Sequence, residues 1–193
     1  MSQLLTPRFA RVAAGMAVLS AFALAPVAAQ AAETNATGTL SGGSLSNTAP
    51  VVSAFSATLT GVTQVVHTAV GASSVTDATG TDAGYAVTVA ATAPTINGSA
   101  AAAGTGATLT LTPASATAAA GNPAAAGPVA KTAQALSTTA ATIDEAKIGT
   151  GEGEWNFAAD TGEAKSLAVV IPGNASAGAY SSTLTFTTAP PVA

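Results

Sequence analysis

SSVTDATGTDAGYAVTV, at residues 73–89, is the stretch that decides the fold class. An alternating run that contains Val75 leads into a polar segment of Asp, Thr and Gly, and a second alternating run follows. In the second run Tyr85, Val87 and Val89 share one face, because successive side chains of a strand point to opposite faces. The loop glycines permit positive φ, and the Asp and Thr side chains can bond loop backbone. The stretch therefore predicts a half-buried β-hairpin.

Further alternating segments occur on both sides of this stretch, and the helical period is almost absent. Many short alternating strands with Gly, Pro and Asn turns are typical of an antiparallel sandwich or barrel. We predict an all-β antiparallel β-sandwich of about eight short strands, because the Gly-interrupted first strand and the Pro-rich tail resemble the protected edges of open sheets. Besides the predicted hairpin, the candidate strands lie at residues 39–46, 51–60, 64–70, 107–112, 142–148, 152–157, 165–171 and 177–188.

Three stretches are predicted to contain no strand. Residues 97–106 have the composition of a loop, and residues 132–141 could form a short helical turn, although they show no apolar stripe. Residues 114–131 form a low-complexity run of Ala, Gly and Pro, in which Gly and Pro divide the alanines too finely for a stable helix. We therefore predict a flexible insertion at residues 114–131.

The start of the chain has the features of an export signal. Two arginines precede an apolar core at residues 12–27, and the sequence Ala-Gln-Ala that ends at residue 31 has the pattern of a cleavage site. The apolar core is interrupted and is short for a spanning helix of about 20 residues, so cleavage is favoured over a retained membrane anchor. We predict a signal peptide at residues 1–31, a mature start at Ala32 and a single domain at residues 32–193.

Charge and cysteine content limit the partners of the mature chain. After residue 31 the chain has three lysines and nine carboxylates, which gives a net charge of −6. Nucleic acids and anionic membrane surfaces bind clustered Lys and Arg, so both are disfavoured as partners. The chain has no cysteine. An exported chain of this kind has no disulfide bonds and depends on its apolar core.

Few residues have the chemistry that catalysis requires. His67 is the only histidine, and no Gly-x-Ser-x-Gly nucleophile motif is present. Asp144 and Glu145 form one acidic pair, and Glu152 and Glu154 form another. Glycoside hydrolysis requires two carboxyl groups that face each other across a cleft, whereas adjacent acids on a turn are more often solvated. We predict no catalytic residue, no cofactor and no enzymatic activity.

Asp77 and Asp82 flank a glycine-containing loop and could offer oxygen atoms to a calcium ion. Calcium takes roughly six to eight oxygen ligands, and the spacing of an EF-hand loop is absent. A solvated loop is therefore favoured over a metal site, and the sequence leaves both interpretations open.

Two regions of the sequence resemble the motif regions of WxL-domain proteins. Residues 77–89 are similar to the family pattern Asp-x-x-Gly-x-x-x-Gly-Trp-x-Leu-x-Val, with YAV at residues 85–87 in the place of the first Trp-x-Leu. The VIP at residues 170–172 and the segment at residues 177–186 resemble the terminal pattern Val-Pro…Gly-x-Tyr-x-x-x-Leu-x-Trp. FTT at residues 186–188 stands at the second motif, so both motifs are degenerate.

The resemblance implies a secreted bacterial cell-surface protein that attaches non-covalently to the cell wall, with peptidoglycan as its partner and no catalytic activity. Exchange of one aromatic residue for another on an inward face preserves most of the buried area, so the fold is expected to persist. Core packing remains the alternative role for each aromatic residue. The candidate wall contacts are Tyr85, Val87, Trp155, Tyr180 and Phe186.

An alternative function is that of a structural subunit in a surface layer or fibre. The Gly-interrupted segment at residues 39–46 could leave an exposed strand edge, and an exposed edge is a template for strand addition. The partners would then be copies of this chain or sister surface proteins.

Overall fold

Most of the alternating segments form β-strands in the part of the chain that the structure describes. The structure is a computed structural model, and it describes residues 37–102, 104–122, 126–160 and 166–191. The unit that carries the fold is Thr39–Ala193. The predicted signal peptide lies outside the described residues. Within those residues, no helix has the length and hydropathy that crossing a bilayer requires.

The prediction of an all-β fold is confirmed, with more strands than the predicted eight or so. Alternation does not reveal strands of two or three residues, and these raise the number to fifteen in the described residues. They are β1 (Leu45–Thr48), β2 (Gln64–Thr68), β3 (Ser73–Asp77), β4 (Tyr85–Ala91), β5 (Thr95–Ile96), β6 (Ser99–Ala100), β7 (Thr108–Leu111), β8 (Ala116–Ala118), β9 (Val129–Ala130), β10 (Gln134–Leu136), β11 (Ala141–Ala146), β12 (Gly153–Phe157), β13 (Leu167–Ile171), β14 (Tyr180–Ser181) and β15 (Leu184–Ala189).

The described strands form four antiparallel sheets. Three sheets have four strands each, in the orders β1-β3-β12-β8, β10-β7-β13-β2 and β15-β4-β11-β9. The fourth has three short strands in the order β14-β5-β6. Almost every neighbour is distant in sequence, so the fold depends on long-range pairing rather than on consecutive hairpins.

The predicted hairpin at residues 73–89 is wrong in its pairing, although both of its strands are present. β3 pairs with β1 and β12, whereas β4 pairs with β11 and β15, so the loop between β3 and β4 connects two sheets. Asp77 turns the chain by accepting hydrogen bonds from the backbone N–H (3.0 Å) and the hydroxyl (2.7 Å) of Thr79. Gly84 ends the loop at φ 72°, where an added Cβ would lie 2.3 Å from the carbonyl oxygen of Ala146.

The core contains the faces that alternation predicted for the stronger strands. Tyr85, Val87 and Val89 are buried on one face of β4, and the opposite face of that strand is half-buried. Trp155 is also buried, with its indole N–H donating to the carbonyl of Glu152 at 3.0 Å. The core cluster, to which Trp155 does not belong, also contains the buried residues Val75, Ala91, Ala107, Leu109, Leu111, Ile143, Ala146, Phe157, Leu167, Val169 and Ile171.

A β-bulge in β11 changes the alternation of that strand. The pairing of β11 with β4 shifts register between Thr142 and Asp144, so Ile143 is the extra residue. A bulge lets two consecutive side chains point to the same side of a sheet. Ile143 and Asp144 are accordingly both buried. This is the physical reason why Asp144 is not the solvated turn residue that the sequence favoured.

Residues 114–131 contribute to two sheets, which differs from the expected flexible insertion. β8 pairs with β12, and β9 pairs with β11. Between the two strands, Gly127 approaches the Trp155 ring so closely that an added Cβ would lie 2.3 Å from ring carbon Cζ3. Small residues therefore cover a large ring here, a role that composition alone does not reveal.

Three further assignments differ from the sequence prediction. Residues 51–60, predicted as a strand, show only one described bridge, Val52 with Val70. The predicted loop at residues 97–106 begins with the β5–β6 hairpin, whose turn residues Asn97 and Gly98 have φ values of 50° and 78°. Asn-Gly is a strong short hairpin signal, so the sequence of this turn favours a hairpin over a loop. Residues 132–141 contain strand β10 instead of a helical turn.

Candidate functional site

A large open concavity among the described residues is a groove of about 1080 Å³. One wall is formed by residues 49–59 and the other by residues 176–182, and we call the space between them the groove. Buried side chains of β7 and β13 form its floor, including Leu109 and Val169. The groove exceeds the usual range of about 300 to 1,000 Å³ for small-molecule sites, so its size fits an extended ligand.

The first wall is an extended segment held against the free edge of β2. The N–H of Ser53 donates to the carbonyl of Ala69 at 2.9 Å, and the Thr68 hydroxyl donates to the carbonyl of Ser53 at 2.7 Å. The Gln64 side chain donates to the carbonyl of Thr58 at 2.9 Å. Side-chain donors therefore replace part of the strand ladder, and the segment remains beside the sheet without joining it.

The second wall is fixed by the short sheet that contains β14. Asn97 receives a hydrogen bond from the N–H of Ala179 at 2.9 Å and donates its own N–H to the carbonyl of Ala179 at 2.8 Å. The Tyr180 hydroxyl donates to the carbonyl of Ser176 at 2.8 Å, which fixes the ring at the groove. Tyr180 is half-buried, so part of its ring is open to a ligand.

The chemistry of the groove is that of a neutral, hydroxyl-rich surface with aromatic rings. Among the described residues that line it, none carries a charged side chain. The rings of Phe55, Tyr180 and Phe186 supply apolar faces. Hydroxyl groups can both donate and accept hydrogen bonds. The hydroxyl-bearing lining residues, besides Tyr180, are Ser53, Ser56, Thr58, Thr68, Ser176, Ser181 and Ser182.

Comparison with known protein families identifies the domain. The model of the WxL domain, described as surface cell wall-binding, matches residues 52–190, which is well over half of the chain. The chain belongs to the WxL-domain family. A search of the curated proteins and a search of the solved structures found no match. The resemblance to the WxL-domain family is thereby confirmed, and a WxL domain indicates a surface protein that is associated with the cell wall.

The two degenerate motifs of this WxL domain lie on neighbouring strands. The first motif begins β4 and the second lies in β15, and the register pairs Val87 with Thr188 and Val89 with Phe186. Directly paired residues share a sheet face, so Phe186 points to the same side as Val87 and Val89. The two motifs, which begin at residues 85 and 186, therefore belong to one packing unit.

Of the five predicted wall contacts, two line the groove and three are buried. Tyr180 and Phe186 line the groove and are half-buried. Tyr85 is fully buried, and Val87 and Trp155 are each 5 % exposed, so these three pack in the interior. The sequence did not identify Phe55 or Leu59 as site residues, because they alternate in the way that a strand face does.

A second, small cavity of about 50 Å³ lies beside the motifs. Val87, Asp144 and Phe186 are among its lining residues. Within the described residues, Asp144 Oδ1 and the Tyr85 hydroxyl are buried without a hydrogen-bond partner. Burial raises the pKa of Asp144 to about 7, although the nearby Lys131 cation opposes the rise. Burial, together with Asp77 and Asp144, also raises the pKa of Tyr85 far above its usual range.

The other described acidic residues and the histidine are not among the lining residues of the groove. Glu145 forms an ion pair with Lys131, and Glu154 is exposed on β12. His67 is exposed on β2. Among the residues that the structure describes, no group of three or more His, Cys, Asp or Glu side chains is arranged to hold a metal ion. The groove is therefore suited to binding through neutral hydrogen bonds and ring contacts.

Proposed function

We propose that this chain is a secreted, non-enzymatic protein that attaches non-covalently to peptidoglycan through its WxL domain. The observation that carries the proposal is the family match over residues 52–190, which indicates a wall-binding surface domain. The proposal adds export after cleavage at Ala32, peptidoglycan as the wall component, and the absence of catalysis. The neutral groove supports it, because such a surface holds a polymer without offering acid–base groups.

The proposed wall contacts are the half-buried rings of Tyr180 and Phe186. Their positions in the groove favour them over Tyr85, Val87 and Trp155, which are buried and out of reach of a polymer. In this proposal the first motif contributes to the fold of the domain, and the second contributes one ring to the ligand surface.

Sedimentation with purified, insoluble peptidoglycan tests the proposal. The mature protein, residues 32–193, is expected to pellet with the wall material, and salt is expected to have little effect because the groove is uncharged. Protein that remains in the supernatant at every salt concentration contradicts direct wall attachment. Release of sugar or peptide fragments from the pelleted material contradicts the non-enzymatic part of the proposal.

A second candidate function is a subunit of a surface layer or fibre, and the position of β1 favours it. β1 is the terminal strand of its sheet, paired only with β3 in the described part of the chain. A terminal strand offers unpaired backbone groups for strand addition. Light scattering of concentrated protein tests this candidate: the parent should associate, and Ser46→Lys, at an exposed position in β1, should remain monomeric. A monomeric parent removes this candidate and leaves wall attachment untouched.

A further inference from the structure

We infer that the groove binds an uncharged glycan strand of N-acetylated sugars rather than charged peptides or anionic polymers of the wall. The inference rests on the proposed attachment to the wall, and it adds the chemical class of the ligand and the place where it binds. Three properties of the groove support the inference: the absence of charged side chains among its described lining residues, its rings and hydroxyl groups, and its shape.

The first property is the absence of charge among the described lining residues. Peptides with free carboxyl or amino groups, and polymers linked by phosphodiesters, need charged partners when they lose water. The mature chain after residue 31 has a net charge of −6, which repels polyanions. Lys131, a described cation, is paired with Glu145 between β9 and β11 and is not a lining residue. A neutral polymer is the ligand that this surface can desolvate at least cost.

The second property is the combination of rings and hydroxyl groups. A sugar ring has an apolar face of C–H groups and a rim of hydroxyl and acetamido groups. Phe55, Tyr180 and Phe186 offer aromatic faces to the C–H face of a sugar, since aromatic side chains provide a large apolar area. Exposed hydroxyl groups on both walls, such as those of Ser56 and Ser181, can donate hydrogen bonds to the hydroxyl and acetamido groups of the sugar and accept hydrogen bonds from them.

The third property is the shape of the groove. Its walls are segments of at least seven residues each, and its volume of about 1080 Å³ exceeds what one sugar ring would fill. The floor is formed by buried residues of two paired strands, so it is preformed. A preformed groove favours a stiff polymer, because little conformational entropy is lost by either partner.

The experiment measures competition for purified peptidoglycan by three soluble probes. The neutral probe is a β-1,4-linked N-acetylglucosamine hexamer, and the charged probes are a free stem peptide and poly(glycerol phosphate). The hexamer is expected to release the protein from the pellet, and the charged probes at equal concentration are not. Calorimetric titration of the protein with the hexamer checks direct binding.

A pair of matched variants locates the binding site. Ala57→Trp fills the groove from an exposed position in the first wall, and Ala72→Trp adds the same ring at an exposed position that does not line the groove. Both substitutions leave the core intact, so thermal unfolding should be close to that of the parent. We expect Ala57→Trp to weaken binding of the hexamer at least tenfold and Ala72→Trp to leave it unchanged.

The outcomes separate the two levels of the argument. Failure of the parent to pellet with peptidoglycan overturns both the proposed function and the inference. Three results would overturn the inference alone. In the first, only a charged probe releases the protein from the pellet; in the second, none of the three probes does. In the third, Ala57→Trp does not weaken binding. In each of those cases the wall attachment stands, and its ligand or its surface is a different one.

Discussion

Replacement of Asp144 by asparagine tests the consequence of the β-bulge most directly. Asp144 is 2 % exposed, and burial raises its pKa from 3.8 to about 7. Between those two values the folded protein holds a proton that the unfolded chain has released. Stability should therefore fall as the pH rises from about 4 to about 7, and this group should contribute no further change outside that window.

The expected magnitude follows from the size of the pKa difference. Each pH unit corresponds to about 1.4 kcal/mol, so full ionisation of Asp144 costs roughly 4 kcal/mol at pH 8 as an upper value. Asp144→Asn keeps the shape and removes the charge. Because the buried amide also needs hydrogen-bond partners, we expect a net gain of roughly 1 to 3 kcal/mol at pH 8 and none at pH 4.

Urea unfolding at pH 4 to 8, followed by the fluorescence of the single Trp, measures this difference. Glu145→Gln is the matched control on the same strand. The hydrogen bond and the charge of Lys131 lower the pKa of Glu145, so its charge contributes stability above its unfolded pKa that is lost as the pH falls. The control should therefore be less stable than the parent at neutral pH. An equal effect of Asp144→Asn at pH 4 and pH 8 would refute the buried-carboxyl argument.

Three further predictions concern backbone contacts and export. Gly127→Ala should destabilise the fold by about 1 to 3 kcal/mol through a clash with the Trp155 ring, whereas Gly38→Ala, in open space, should not; thermal unfolding compares them. Gly84→Ala should cost at least as much, because positive φ and the nearby carbonyl of Ala146 both oppose a side chain, and an unchanged melting temperature contradicts this. N-terminal sequencing of exported protein should begin at Ala32, and a start at Met1 contradicts cleavage.

The sequence predicted where strands occur more successfully than how they pair. Alternation identified the buried faces of β4, β7, β12 and β13, because burial on one face imposes a period of two whatever the partner strand is. It contained no information that β3 and β4 belong to different sheets. A polar loop such as the one between them can connect two strands of one hairpin or two strands of different sheets, so its sequence does not distinguish these arrangements.

The low-complexity run shows a second limit. Ala, Gly and Pro bury little apolar area of their own, so the energetic argument from residues 114–131 alone favours an unpacked segment. Small residues, however, also allow a large neighbouring side chain to be buried. Gly127 lies against Trp155, and the backbone of β8 completes the sheet beside β12. The run therefore stabilises the fold partly by covering apolar area of Trp155, a residue outside the run.

One wall of the groove was predictable from the sequence and the other was not, and the difference has a physical cause. The second wall and Phe186 follow from the resemblance to the family, since Tyr180 and Phe186 occupy positions of its terminal pattern. The first wall could not be predicted in this way, because residues 51–60 alternate as a strand would. In the structure, side chains of β2 donate hydrogen bonds to the backbone carbonyls of this segment, in place of part of a strand ladder. A strand there would bring its side chains into sheet packing, whereas the irregular segment leaves Phe55, Ala57 and Leu59 lining open space. The feature that makes the segment a poor strand is therefore the one that leaves a wall available for a ligand.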